Sequence, residues 1–430
     1  MSPRIANIAP IIIGMAVVQL GTGLLTTITG LRMVSEGFST EVAGIVMSCY
    51  FAGQFLGARI GPRMIERVGH IRIFAAGASV LAATALGQVL FVFAPVWALL
   101  RGLTGASMAG LIMVSESWLN DKADRASRGR LLAIYMISIY FSLSLAQFLI
   151  NLGDPASFEL FALAAVLICL GVLPVTLTSA AAPPVDEPSR FGFRQIWNVS
   201  PLGVTGVLCT GLVNASFYGM GPIFAQQIGL DTAGVSLFMG VPILAGLLMQ
   251  WPMGWLSDRF DRRTVLTGVV FAVALVSAAI VPVVGVSFPA VLALATVYGG
   301  LSLTIYSLSI SHANDFISPK DLVRASSAFV MIYGIGASFG PFVASTLMSA
   351  IGPEGLFIYS AGINFGIGLF ALYRMRMRAA RPKDEQAPFV AVPHTTQAVK
   401  SLHPHADWDR ETDPPAESSP APTTPADGKG

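Results

Sequence analysis

Charge is what this chain has least of. Asp, Glu, Lys and Arg make up 12% of its 430 residues, about half the share of an ordinary water-soluble domain. That leaves too little polar surface to coat a soluble globule of this size. Cysteine is scarce as well: Cys49, Cys169 and Cys209 each sit in an apolar run. They lack the paired spacing of a disulfide framework or a zinc site, and read as small packing residues. Two of the five histidines stand in HPHADW, 403–408, with no third ligand beside them, so no metal is expected. There is no Gly-x-x-x-x-Gly-Lys-Ser/Thr stretch, which removes ATP-driven pumping. No apolar stretch holds clustered carboxylates, a His-x-x-x-His pair or a nucleophile with its base, so the chain is not expected to be an enzyme. No cofactor and no nucleic-acid partner is expected.

Apolar residues, by contrast, reach 54%. A window of about 19 residues picks out twelve spans, at about 7–31, 41–58, 71–93, 96–119, 129–151, 158–178, 200–225, 233–256, 264–285, 287–310, 324–350 and 355–374. The first is too long for a signal-peptide core and lacks an early cleavage site, so it is expected to be retained. With the N-terminus placed in the cytoplasm, all 26 Lys and Arg residues except Arg32 and Arg101 fall on the cytoplasmic side, as the positive-inside rule requires. Both termini are then cytoplasmic. The expected organisation is a six-helix bundle over 1–178, a Pro-rich linker over 179–199, a second six-helix bundle over 200–374, and a disordered cytoplasmic tail over 375–430 whose basic start meets anionic headgroups.

The two bundles look like copies. GFST at 37–40 matches GLDT at 229–232, and Glu66-Arg67 matches Asp258-Arg259; 258 minus 66 and 229 minus 37 both give 192. In each case a glycine, an apolar residue and a Ser or Asp cap precede the next span. Such duplication is a known construction in transporters.

The stretch GWLSDRFDRR, 254–263, resembles the signature Gly-x-Leu-x-Asp-Arg-x-Gly-Arg-Arg of the major facilitator superfamily. Gly254, Leu256, Asp258, Arg259, Arg262 and Arg263 match, and Asp261 stands where the family has glycine. In the first-half copy Glu66 replaces the aspartate, Arg67 and Gly69 match, and only Arg72 remains of the basic pair. RGLTGASMAG, 101–110, is similar to the family's fourth-span pattern through Arg101, Gly105 and Ala109. The resemblance covers about 5–375, and LRMVSEGFS, RVGHIR, ESWLN and HAND look like a bacterial branch with mostly unassigned substrates.

The resemblance implies an all-α membrane protein of twelve transmembrane helices in two pseudo-symmetric six-helix bundles. It implies a secondary transporter working by alternating access, multi-pass in the cytoplasmic (inner) membrane. It also implies a cytoplasmic gate of Glu66, Arg67, Arg72, Asp258, Arg259, Arg262 and Arg263. There Asp258 would cap the start of span 5, and Glu66 the start of span 11. In this family spans 1, 4, 7 and 10 line the cavity, so Gln19, Thr22, Thr26, Arg101, Asn214, Tyr218 and Tyr306 are the pathway candidates. An ionisable side chain inside the bilayer is a functional candidate by default. Arg101 is the clearest, with Gln19, a carbonyl or an anionic substrate open as its partner. Glu116 and His312, near the cytoplasmic ends of spans 4 and 10, are the proton-relay candidates. For each of these side chains a structural hydrogen bond between helices is the competing reading.

The expected protein is a monomer in the lipid bilayer, carrying a small, neutral or weakly ionised solute, with protons as the expected coupling ion. The alternatives are export of drugs or metabolites by proton antiport, and a non-transporting receptor or scaffold. GIGASFGPF, 334–342, has the antiporter form but lies in span 11 rather than span 5, which weakens the first alternative.

Overall fold

The computed structural model describes residues 3–122, 128–178, 193–318 and 321–377, together with 386, 389 and 391. The tail motif at 403–408 and most of the linker lie outside the described residues. In chain order the helices are α1 (Pro3–Ser35), α2 (Thr40–Val68), α3 (His70–Leu90), α4 (Ala94–Lys122), α5 (Arg128–Phe148), α6 (Phe158–Thr176) and α7 (Phe193–Val199). There follow α8 (Pro201–Gln227), α9 (Thr232–Arg259), α10 (Arg262–Ile280), α11 (Phe288–Ser302), α12 (Ile305–Asn314), α13 (Leu322–Ile351) and α14 (Gly355–Met377). Among the described residues, twelve helical segments are long and apolar enough to cross a membrane, and each corresponds to one expected span.

Three differences from the sequence reading have simple causes. Span 2 runs to Val68 rather than 58, because the helix continues past the apolar stretch and carries Arg59, Arg63, Glu66 and Arg67 on its last turns. The end of the linker is not irregular: 193–199 forms α7, which buries Ile196 completely. Span 10 is broken at Leu303–Thr304 into α11 and α12. A carbonyl released inside a membrane needs a partner, and the amide of Gln250 on α9 donates to Leu303 O at 3.1 Å.

The duplication is visible in the caps. Ser39 accepts from Val42 N at the start of α2, and Asp231 accepts from Gly234 N at the start of α9. The glycines two residues before them, Gly37 and Gly229, have φ of 73° and 83°. A side chain there would be strained, which explains glycine at both ends of the 192-residue offset. The second turn of the motif differs between the halves. Gly69 takes φ 93° before α3, whereas Asp261 takes φ −58° and caps α10 by accepting from Arg263 N. Replacing the family's glycine thus exchanges a left-handed turn for a side-chain cap.

Helices α1 to α6 pack as one group and α8 to α14 as another. Close approach is made by small residues, as expected where lipid competes equally for apolar surface. Gly53, Gly57 and Gly61 form a stripe on α2 that meets Gly102, Ala106 and Met113 of α4. In the second group Gly336 and Gly340 of α13 lie on the carbonyls of Leu208 and Leu212 in α8.

The two groups meet along a seam formed by α1, α2 and α5 on one side and α8, α9 and α13 on the other. Four bonds across it lie near the ends of the helices away from the arginine-bearing turns. Ser144 Oγ donates to Gly240 O at 2.8 Å, Asn151 Nδ2 to Ser236 Oγ at 3.0 Å, and Phe342 N to Ser48 Oγ at 3.0 Å. Gln227 Nε2 donates to Thr40 Oγ1 at 3.0 Å. These bonds sew the halves together on the face opposite the arginines.

Candidate transport site

On α1, Gln19, Thr22 and Thr26 follow one another at three and four residues, one face of a helix. The threonines bond back into their own helix, Thr22 Oγ1 to Val18 O at 3.0 Å and Thr26 Oγ1 to Thr22 O at 2.9 Å. Thr22 also donates to the Gln19 side chain at 3.1 Å. This face looks into a cavity between the two halves. Its polar wall comes from Gln19, Thr22, Thr26, Gln54, Gln147 and Tyr218, and its apolar wall includes Phe51, Met108, Ile112, Leu143, Met239 and Ile243. Among the described residues, no formally charged side chain lines it. The Tyr218 hydroxyl is buried without a hydrogen-bond partner. Such a donor costs free energy until something accepts from it.

Arg101 stands one layer behind this wall. It is 1% exposed, seven residues into α4. Its Nη2 donates to Thr26 Oγ1 at 3.4 Å, and its guanidinium lies over the Tyr50 ring at 4.7 Å. Both partners line the cavity. Gln19, one of the expected partners, instead holds Thr22. Two of the guanidinium nitrogens, Nε and Nη1, are buried without a hydrogen bond. The cation is held largely by an aromatic face, an interaction that strengthens away from water.

The other pathway candidates sit elsewhere. Asn214 is buried and accepts from Ser302 Oγ at 2.9 Å, joining α8 to α11. Tyr306 is buried edge-to-face on Tyr333 at 5.4 Å. Neither lines the cavity. Glu116 is buried near the end of α4, within electrostatic reach of Tyr135 and Tyr306. His312 is buried at the end of α12 against Phe316.

The gate residues divide by half. Glu66, Arg67 and Arg72 are exposed around the end of α2, and Glu66 makes no hydrogen bond or ion pair among the described residues. The Asp258 carboxylate accepts from Phe389 N at 2.8 Å and from Arg262 at 3.3 Å. The Phe389 ring lies on the backbone at Gly254, where a Cβ would come within 2.6 Å of it. Asp258 is thus turned to the tail, not to the start of α5. Arg259 stacks on Trp255 at 5.1 Å. Arg262 is no surface cation: it is 1% exposed and donates to Asp315 at 2.7 Å, Ser311 O at 3.0 Å and Ser257 at 2.9 Å.

The sequence reading missed Tyr50, Gln54 and Gln147. All lie in spans 2 and 5, whereas candidates were drawn from spans 1, 4, 7 and 10. Gln54 and Gln147 carried a usable signal as amides inside otherwise apolar spans.

Twelve membrane-crossing helices in two groups, enclosing a largely apolar cavity with uncharged polar side chains on one wall, belong to a membrane transporter and not to an enzyme. The chain is a member of the Major Facilitator Superfamily, whose family profile matches residues 11–311 and 233–408. It is 29% identical over 372 residues, 86% of its length, to the uncharacterized MFS-type transporter YcaD of Escherichia coli O17:K52:H18 (strain UMN026 / ExPEC), covering 95% of that protein. The YcaD of Escherichia fergusonii is 29% identical over 371 residues, with 86% and 96% covered. Among solved structures, a point mutant of the nucleoside transporter NupG superposes with a TM-score of 0.73 at 15% identity, covering 85% of this chain and 99% of that one. A bacterial homolog of the human lysosomal transporter Spinster, inward-facing and occupied, gives 0.72 at 14% identity, with 88% and 98% covered. At these identities the likeness concerns the fold.

Proposed function

We propose that this chain is a secondary transporter, a monomer in the cytoplasmic membrane with both termini inside. It carries one small neutral or weakly ionised solute by alternating access, with protons as the coupling ion. The observation that carries the reading is the cavity between the halves: apolar over most of its wall, with a face of uncharged polar side chains, and with bonds joining the two groups at one end. With the arginine-bearing face inside, we read the sewn seam as the outer closure and this conformation as inward-open. Rocking of the halves would break the outer bonds and bring Asp258 to the start of α5 and Glu66 to the start of α13. In that state the gate arginines would ring the closed inner face. The glutamine, threonine and tyrosine lining suits a ring-bearing solute with several hydrogen-bonding groups, a class that includes the nucleosides carried by NupG. Glu116 and His312, both buried, are the relay groups for the proton, and Arg101 is the cation whose field the cavity feels.

The test begins with a thermal-shift screen of small metabolites and drugs at pH 5.5 and 7.5, since a ligand well above its dissociation constant stabilises the folded state. Hits are then followed by uptake into proteoliposomes with and without a pH gradient. Tyr218→Phe and Gln54→Leu remove groups that make no hydrogen bond among the described residues. Each is expected to lower uptake at limiting solute about tenfold, the equivalent of one hydrogen bond, with an unchanged melting temperature. If no solute that binds is taken up, the transport reading fails; if uptake ignores the pH gradient, proton coupling fails alone.

Asp258→Asn separates the gate from a simple topology role. Charged contacts at helix ends contribute about 0.3–2 kcal/mol, so the variant should bind solute normally and transport it severalfold more slowly. Uptake at the parental rate leaves Asp258 no part in gating.

A further inference from the structure

The contact that Phe389 makes with α9 has a counterpart at the other end of the same helix. A Cβ added at Gly240 would come within 2.7 Å of the Phe148 ring of α5, and one added at Gly254 within 2.6 Å of the Phe389 ring. Beside each glycine a polar bond completes the contact. Asn151 Nδ2 donates to Ser236 Oγ at 3.0 Å, and Phe389 N donates to the Asp258 carboxylate at 2.8 Å.

An α-helix returns to the same face after about 18 residues, five turns of about 3.6. Here 254 minus 236 and 258 minus 240 both give 18, so the two contacts lie along one face of α9. One end of that face is covered by α5, and the end near the arginines is covered by Phe389. The pairs Ser144 with Gly240 and Asn151 with Ser236 show that α5 and α9 run antiparallel. Continued in that register, Asp258 would meet position 126 (144 minus 18), just before α5 begins at Arg128.

We infer that Phe389 is an autoinhibitory wedge, seated where α5 must land for the inner face to close. This rests on the inward-open reading given above. Gly254 is buried, and the three atoms nearest to a Cβ there all belong to the Phe389 ring. A second helix cannot pack on that backbone while the ring occupies it. The Asp258 oxygen that would cap α5 is meanwhile held by Phe389 N and Arg262. Ring burial and a hydrogen bond to a carboxylate thus favour the inward-open state alone, and contacts made in one state only are what bias a two-state equilibrium.

The experiment measures the opening of the inner face in the full chain, in nanodiscs, by pulsed electron paramagnetic resonance. Cys49, Cys169 and Cys209 are first replaced by alanine. Spin labels are then placed at Val68 and Phe260, which are exposed at the inner ends of α2 and α9, one in each half. Phe389→Ala, which loses the ring, should raise the ratio of short to long distances about tenfold. Phe389→Pro, which loses the N–H as well, should raise it at least as far. Trp408→Ala removes an aromatic ring farther along the chain and should leave the ratio at the parental value. Asn151→Ala/Gln227→Ala removes two bonds of the opposite seam and should raise the ratio without touching Phe389. If the seam variant raises it and neither Phe389 variant does, the wedge is overturned and the rocking of the halves stands. If Trp408→Ala raises it as much as Phe389→Ala, the wedge is likewise overturned. If no variant changes it, the rocking itself falls, and the wedge with it.

Discussion

Valine at Gly105 is expected to leave no folded protein. A Cβ at this position collides with the carbonyl oxygen of Tyr50 and comes within 2.8 Å of Gln54 N. Both obstacles are backbone of α2, so no rotamer change relieves them. Gly53 against Gly102 and Gly57 against Ala106 hold the same two helices at the same short distance, and α2 cannot tilt away from one point without opening the others. Overpacking a tight site costs about 1–3 kcal/mol where neighbours can shift; here they cannot, and about 3 kcal/mol or more is expected. The readout is the yield of monodisperse protein on size exclusion, with the melting temperature of whatever survives. Gly366→Ala is the control. Nothing lies within 4 Å of its added methyl, and alanine favours helix over glycine by up to about 1 kcal/mol. It should match or exceed the parent. A monodisperse Gly105→Val with parental melting would refute the α2–α4 contact.

Arg262→Ala should be nearly as damaging, for an electrostatic reason. Arg262 and Asp315 are 1% and 4% exposed and meet at 2.7 Å. Removing one partner of a buried pair strands the other, typically at about 3–5 kcal/mol. Asp315→Asn keeps an acceptor for Arg262 and should cost less. The double variant Arg262→Met/Asp315→Leu removes both charges together and should recover much of the loss, since well-packed apolar replacements of buried pairs are often neutral. Arg259→Ala, three residues away but exposed, gives up solvent-side contacts such as its stacking on Trp255, which at exposed sites are worth about 0.5–1 kcal/mol. Melting temperatures of the four proteins give the comparison. Equal effects of Arg259→Ala and Arg262→Ala would show that both arginines are surface residues.

That contrast also marks how far the amino-acid string could be read. The twelve spans were legible because a membrane imposes one simple rule on composition, and the duplication because caps and glycines repeat at a fixed offset. Within GWLSDRFDRR, however, Arg259 and Arg262 carry the same chemistry. Which of them turns inward depends on the bend at Phe260–Asp261, and so on the cap that Asp261 makes. The break in span 10 was hidden because its stabilising amide, Gln250, lies on another helix. The cavity was half legible. The α1 face is a matter of helical period, and Tyr218 followed from the family's lining spans. Gln54 and Gln147 reach the cavity only through the rotation of α2 and α5, which packing decides.

The sewn seam has one more property. Its bonds run between hydroxyls, amides and backbone groups, and none of these atoms bears a formal charge. A transmembrane voltage does work only on displaced charge, about 2.3 kcal/mol per elementary charge for each 100 mV. Opening this closure therefore moves almost no gating charge, and electrolyte has little to screen there. In the cycle proposed above, membrane potential would act instead on charges away from these bonds, Arg101 among them, and on whatever charge the solute or a coupling ion carries.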